Sequence, residues 1–316
     1  MNFQTLEYVR AIAAERSFTR AAERLHVTQQ TLSAHVAGVE RELGCRLFVR
    51  STPLALTHEG QAFLAHAESM SAELVALRRE VAGSTKEQSG TLRVAVAHTR
   101  GRAVLPPVID AFCREYPNVC VTLDEGTNDE LYATLADGRA DLAIGVVPAA
   151  WRTAFEISDF YDERIVLMAD RGLLAKCGLE ENSLREPLAK GDFSPLASCP
   201  FVLGGPDDIT GGLGLSLFAR ASIRPLVRAQ SNNMETLLAL AMRGAGACLC
   251  PENLLEVAAP AEARQNLARF QLGPEAEYKI CFALPANGYR WAATEEFMRI
   301  ARKSVRAADG VQTATR

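Results

Sequence analysis

The sequence predicts a chain in two parts: an N-terminal all-α winged helix-turn-helix extended by one long helix, and a C-terminal α/β half. Three observations predict it. In the first 60 residues, apolar positions recur every three or four residues in short blocks separated by capping residues. From Phe63 to Val81 they repeat at four, three, four, three and four residues, which is a heptad seam. Beyond residue 90, short apolar runs alternate with helical patterns, as in a parallel sheet with helices on both faces.

Length and charge narrow the class. A chain of 316 residues with 48% hydrophobic and 23% charged residues has the composition of a soluble globular protein of two or three domains. No run approaches the roughly 20 apolar residues that span a bilayer, and the first ten residues include Glu7 and lack an apolar signal core. The expectation is a cytoplasmic protein with no membrane partner. The net charge of −4 is unevenly spread: residues 1 to 57 hold seven Arg and five Glu, net +2, which leaves −6 for the rest. Only the first segment leans towards a polyanion. The eight Cys include no C-x-x-C pair and read as reduced thiols, with Cys248 and Cys250 on one face of a strand, behaving as small apolar residues. None of the five His lies at zinc-ligand spacing from a Cys, so no metal site is expected.

In the head, Phe3, Leu6, Val9 and Ala13 define a first helix that stops at Glu15 to Ser17. Phe18, Ala21, Ala22 and Leu25 form a second, capped by Ser17 or Thr19, and the small Ala21 and Ala22 let another helix approach closely. Thr28 caps a third, whose buried face is Leu32, Val36, Val39 and Leu43. Its outward residues near the start are Thr28, Gln29, Gln30, Thr31, Ser33 and Ala34, all uncharged and short or amide-bearing. Gln can bond an adenine edge in a bidentate way, and Ser or Thr can serve base edges or phosphates. A plain solvated face accounts for the same residue types. The continuation favours the DNA-reading face: Leu47 to Arg50, a turn at Ser51, Thr52 and Pro53, and Leu54 to Leu56 make a short two-stranded wing. Arg50 and Thr52 on that wing would meet the DNA backbone beside the groove.

The run A-A-x-x-L-x-V-T-Q-x-x-x-S from Ala21, then L-G-x-x-L-F-x-R from Leu43, then L-T-x-x-G from Leu56, resembles the N-terminal domain of LysR-type transcriptional regulators over residues 1 to about 65. The chain departs from the family pattern at Gln30, where Pro is usual, and at Ala34 and His35, where basic or amide residues are usual. The resemblance therefore carries over the docking mode and not the base preference at Gln30 and Ala34. It implies a double-stranded DNA operator as partner, a linker helix that pairs with a second copy, and homodimers or homotetramers, with RNA polymerase as a further partner in an activator.

Thr57 caps the long helix, whose seam is Phe63, Ala67, Met70, Leu74, Leu77 and Val81. Roughly three heptads suit self-pairing, which would let two heads read two half-sites; packing of the seam on its own chain is the alternative. Residues 83 to 90 form a Gly- and Ser-bearing exit. The reading thus divides the chain into a head at 1–60, a linker and dimerisation helix with hinge at 61–88, and a third domain at 89–305, followed by a tail at 306–316 expected to be disordered.

In the C-terminal half, Thr91 to Ala97 reads as a strand that breaks at His98 to Gly101, with a helix over 102–115. Val119 to Leu123, a turn at Glu125 to Asn128, a helix over 129–137 and a strand from Asp141 to Val147 follow. A second unit starts near Arg164 and runs through Phe201 to Gly205, a helix over 212–221, a helix over 234–243 and a strand from Ala247 to Cys250. Tyr278 to Leu284 and a helix from Ala292 to Arg302 close the chain onto the first unit. The resemblance implies two lobes similar to periplasmic solute-binding proteins, lobe one at about 91–163 and 267–303 and lobe two at about 164–266.

Ligands of such sheets bind outside the carboxyl ends of the strands. A small-molecule effector between the lobes would there meet Thr99, Arg100, Thr127, Asn128, Gly204, Thr210 and Asn232. Helix N-termini favour anions, and Arg100 beside Thr99 points to an organic anion as effector; helix capping explains Thr99 and Thr127 equally well. Two other classes compete with an effector-responsive DNA-binding regulator. A transporter's solute-binding protein would account for the C-terminal half only and would need a signal peptide. An enzyme finds no support, because the sequence contains no G-x-G-x-x-G, Walker loop, G-x-S-x-G or metal-spaced His cluster. No cofactor and no catalytic residue is expected.

Overall fold

Asn2 begins the fold by accepting the Thr5 amide at 2.9 Å. The computed structural model describes residues 2–49, 54–82, 89–286 and 290–313. Helix α1 (Phe3–Glu15) ends where Arg16 turns left-handed, α2 (Phe18–Arg24) is capped by Ser17, and α3 (Gln29–Leu43) is capped by Thr28, whose hydroxyl accepts the Thr31 amide at 3.1 Å. Val9, Ile12, Ala21 and Leu32 are fully buried where the three helices meet. The antiparallel wing, β1 (Phe48–Val49) and β2 (Ala55–Leu56), is tied to α3 by Glu40, whose Oε1 accepts the Leu47 amide at 2.7 Å. From the wing the chain enters α4 (His58–Ala82), with the Gly60 amide donating to Thr57 Oγ1 at 2.9 Å. A Cβ at Gly60 would collide with the Leu47 carbonyl, so only glycine lets wing and helix meet this closely.

The C-terminal half continues with β3 (Gly90–Val96), α5 (His98–Ala103), α6 (Leu105–Glu115), β4 (Val119–Glu125), α7 (Asn128–Ala136), β5 (Leu142–Gly145) and β6 (Phe155–Asp170). Then come α8 (Arg171–Lys176), α9 (Glu181–Ala189), β7 (Pro200–Leu203), α10 (Ile209–Arg220), β8 (Leu226–Gln230) and α11 (Met234–Ala241). The last elements are β9 (Cys248–Pro251), α12 (Glu252–Ala258), α13 (Ala261–Gln265), β10 (Leu267–Phe270), β11 (Glu277–Pro285) and α14 (Ala292–Thr313).

Two lobes share one strand. In the first, β4, β3 and β5 run parallel and β11 is antiparallel to β5. The first half of β6, Phe155 to Arg164, pairs with β11, while Ile165 to Asp170 pairs with β9 and β10 in the second lobe. Parallel β7 and β8 join that second sheet through a bridge from Phe201 to Ala247. Each lobe has its own core, Leu92, Phe112, Phe282 and Phe297 in the first, Leu167, Phe201, Phe218 and Phe270 in the second. Tyr278 packs against both.

The structure corrects four expectations. The sheet is mixed rather than parallel, because alternation locates a strand and says nothing of its partner's direction. Residues 98–101 are the first turns of α5, closed by the Arg100 and Gly101 amides donating to the Ala97 carbonyl at 2.9 Å each. The return to lobe one falls after Phe270 rather than near 266, since Leu267 to Phe270 pair with β6 inside lobe two. The helix α14 continues to Thr313, where a disordered tail was expected from residue 306. Among the described residues no helix is long and apolar enough to cross a membrane.

Cys248 and Cys250 are fully buried in one cluster of the second lobe, as their alternation on a strand requires. Burial pushes the Cys248 thiol up to about 12, and burial with the neighbouring Cys177 does the same for Cys199, to about 12. Since the thiolate is the nucleophile, iodoacetamide should label the exposed Cys113 and Cys120 of the native chain and leave Cys199, Cys248 and Cys250 unmodified until it unfolds. Peptide mass spectrometry reads this directly, and rapid native labelling of Cys248 would contradict the packing.

Candidate nucleic-acid interface and inter-lobe cleft

The start of α3 presents Thr28, Gln29, Gln30, Ser33 and Ala34 as exposed residues on one side of the head. Thr31 is set apart from them: it is half-buried, and its Oγ1 lies 2.8 Å from that of Thr28, so its hydroxyl is occupied inside the cap. His35 faces inward as well. Its Nδ1 lies 3.2 Å from Thr5 Oγ1 and its ring meets Tyr8 edge-on at 4.9 Å, which pins α3 to α1. The sequence reading had no signal for that brace, because it joins side chains 30 positions apart. Arg50 and Thr52 lie outside the described residues.

The α4 seam divides between two uses. Phe63 packs against the core of the head and Ala67 is 1% exposed, while Met70 and Leu77 are 42% and 54% exposed. Assigning Ala67 to a partner helix is therefore corrected, since it is covered within its own chain, and Phe63 is half-covered by the head's own core. Leu74 is half-buried, and the Val81 side chain lies outside the described residues. Glu68, on the same helix, sits 3.6 Å from Arg139 of lobe one, and burial pushes its carboxyl up despite that cation.

Between the lobes lies a cavity of about 1000 Å³. Lobe one contributes α5 and the start of α7; lobe two contributes the loops that enter α10 and α11. Thr99, Arg100, Thr127, Asn128, Thr210 and Asn232 all line it, so sequence positions up to 133 apart meet in one place. Gly204 does not line it and is corrected: it faces the Asp208 and Thr210 cap, and Gly205 reaches the cavity instead. Two of the hydroxyls are already engaged. Thr127 closes a capping box with Glu130, donating to its Oε2 at 2.9 Å, and Thr210 donates to Asp208 Oδ2.

Arg100 departs most from expectation. It is buried, 3% exposed, and its Nη2 donates to Glu163 Oε2 at 2.8 Å. Burial works against the guanidinium's charge, but the Glu163 carboxylate more than offsets that, so the group is held charged above its ordinary range. The charge expected to hold an effector carboxylate is thus neutralised within the protein. Glu163 Oε1 accepts the Tyr161 hydroxyl at 2.9 Å, and Asn253 of α12 donates to Tyr161 at 3.5 Å. The network runs from α5 in lobe one through β6 to α12 in lobe two. A second tie, Arg102 to Glu235 at 2.9 Å, spans the lobes nearer the surface. Asn128 Oδ1, Tyr132 Oη and Arg100 Nε are buried with no hydrogen-bond partner among the described residues. None of this was legible beforehand, because Glu163 and Tyr161 sit in a strand and carry no motif. No group of three or more His, Cys, Asp or Glu among the described residues is arranged to hold a metal ion.

Comparison with known proteins finds two family matches along the chain. Residues 3–61 match the family described as bacterial regulatory helix-turn-helix protein, lysR family, and residues 85–306 match the LysR substrate binding domain. The chain is 27% identical to the uncharacterized HTH-type transcriptional regulator YcgK of Bacillus subtilis (strain 168), over 97% of this chain and 95% of that one. Its fold is similar to that of full-length OxyR from Pseudomonas aeruginosa, with a TM-score of 0.73 at 23% identity over 96% and 95% of the two chains. It is also similar to full-length CbnR in complex with its target DNA, with a TM-score of 0.67 at 23% identity over 96% and 100%.

The Arg100–Glu163 pair within lobe one and the Arg102–Glu235 pair between the lobes differ in kind, and unfolding should separate them. Glu163→Ala strands the buried Arg100 charge and should cost about 3–5 kcal/mol, whereas Arg102→Ala, in a half-exposed pair, should cost less than about 1 kcal/mol. Urea titration of each full-length variant measures both; equal losses would contradict the contrast.

Proposed function

The chain belongs to the lysR family of bacterial regulatory helix-turn-helix proteins, DNA-binding transcriptional regulators with a C-terminal substrate-binding domain, and from that premise we propose how its parts divide the work. The head, residues 1–60, lays α3 in the major groove of a double-stranded operator, with Gln29, Gln30 and Ser33 towards base edges and Thr28 with the helix N-terminus towards phosphate. Arg50 and Thr52 of the wing contact the backbone beside it. Residues 61–88 pair two copies through Met70, Leu74, Leu77 and Val81, giving a homodimer that reads two half-sites, either by itself or as half of a homotetramer.

The C-terminal domain, residues 89–305, holds a small-molecule effector in the inter-lobe cleft, against Thr99, Asn128 and Asn232, with Thr127 and Thr210 setting the helix ends that frame it. The observation carrying this reading is a cavity of about 1000 Å³ walled by both lobes, which share the continuous strand β6. A ligand there has different contacts when the lobes shift, which is the differential affinity that coupling to the heads requires. In an activating complex, RNA polymerase is the further partner.

Gln29→Ala or Ser33→Ala should relax base preference at one operator position, each contact being worth about 1–3 kcal/mol. Arg50→Ala should weaken binding to all sequences alike and make the salt dependence shallower. Selection from a random-sequence pool tests the first, with unchanged preference counting against it; titration at several salt concentrations tests the second. For the cleft, Asn128→Ala in the full-length chain should abolish the heat stabilisation given by any metabolite that alters operator binding of the wild type. Stabilisation that survives this change would place the effector elsewhere.

A further inference from the structure

The cleft's own chemistry selects among effectors, and this inference rests on the reading of the cleft as the effector site. Six carboxylates line it, Glu125, Glu130, Glu163, Asp207, Asp208 and Glu235, against two guanidinium groups, Arg100 and Arg102, a formal balance of −4 between carboxylates and guanidiniums. Both cations are already paired, Arg100 with Glu163 at 2.8 Å and Arg102 with Glu235 at 2.9 Å. Several carboxylates have no such partner. Asp207 is exposed and makes no ion pair among the described residues, and Glu125 faces only the His98 imidazole at 3.2 Å. The Thr127 amide and hydroxyl hold Glu130 below the usual carboxylate range, so it stays ionised.

Helix dipoles act in the other direction and must be weighed. Three helices of eight or more residues, α7, α10 and α11, start at the cleft. At roughly +0.5 charge per N-terminus they supply about +1.5, which is less than the carboxylate excess. Each start also has its own cap, from Thr127, Asp208 and Asn233 respectively. The balance remains negative.

A second observation comes from the floor. Arg100, 3% exposed, has its Nε without a partner among the described residues, and so has Oδ1 of Asn128, another residue of the lining. The first is a donor in want of an acceptor, the second an acceptor in want of a donor. A simple anion would answer Arg100 Nε and leave Asn128 Oδ1 without a donor.

We propose that the cleft takes a small molecule carrying a cationic nitrogen, an ammonium or guanidinium group, together with an oxygen acceptor. The cation lies towards Asp207 and Glu125, and the acceptor oxygen meets Arg100 Nε. A basic amino acid has this chemistry, and a dicarboxylate or an aromatic acid does not.

Charge-selective labelling tests this on the full-length chain without knowing the ligand. Asn232→Cys places a thiol at an exposed position of the lining, with Ser231→Cys as a second site should the first fail to fold. The expected result is that an ammonium-bearing methanethiosulfonate outpaces its sulfonate-bearing counterpart by about 10-fold or more over the ratio at the exposed Cys113 and Cys120. The excess should vanish at about 1 M salt, where the screening length is about 3 Å, and should fall in the Asp207→Asn, Glu125→Gln background. A ratio no greater than at Cys113 overturns the proposal. Calorimetry of the wild type with L-arginine, spermidine, succinate and benzoate supplies a second arm: binding of either anion that Asn128→Ala abolishes also overturns it, and binding of L-arginine that Asp207→Asn weakens supports it. A cleft ligand that leaves operator affinity unchanged would defeat the effector reading while the labelling ratio still reports the cleft's charge.

Discussion

Strand β6 is held by neighbours in both lobes at once, and much of the C-terminal half depends on that constraint. Its first ten residues are hydrogen-bonded to β11 and its last six to β9 and β10. A strand that changes partners along its length joins two sheets without a loop, so the lobes are connected there by a ladder of backbone hydrogen bonds. Glu163 lies next to the changeover, between Ile165 of the second core and the β11 pairing of the first. The position of the cleft follows, because both sheets present their helix starts to the space beside that point.

The buried pair of Arg100 and Glu163 has to be understood in that setting. Two charges removed from water lose hydration worth several kcal/mol each, and their attraction repays it only when the remaining polar atoms are satisfied. Glu163 is well satisfied, with Arg100 on one oxygen and Tyr161 on the other. Arg100 is not, since its Nε has no partner among the described residues. An arrangement satisfied on one side and open on the other is a poor device for stability alone and a suitable one for registering a ligand.

The head obeys a different constraint, closeness rather than charge. Gly60 lets the wing's Leu47 carbonyl touch α4, Glu40 fixes the wing to α3, and His35 fixes α3 to α1 through Thr5. These contacts bind α3, the wing and the first turns of α4 into one unit. Exposure of Met70 and Leu77 further along the same helix leaves a surface suited to a second copy.

The sequence by itself determined the elements whose cause is local. Caps at Ser17, Thr28, Thr57 and Thr127, the apolar period of α3 and the alternation around Cys248 and Cys250 are set by residues a few positions apart, and the structure places the corresponding elements within a few residues of the reading. It also marked Thr99, Thr127, Asn128, Thr210 and Asn232, because strand-to-helix transitions are visible in a linear pattern. Tertiary structure alone decided the direction of β6 and β11, the return to lobe one after Phe270, and which half of the α4 seam is covered by its own chain. It also decided that Arg100 is spent on Glu163, 63 residues away. Pairing direction, burial and charge compensation depend on which distant segments arrive together, and no local pattern encodes that arrival.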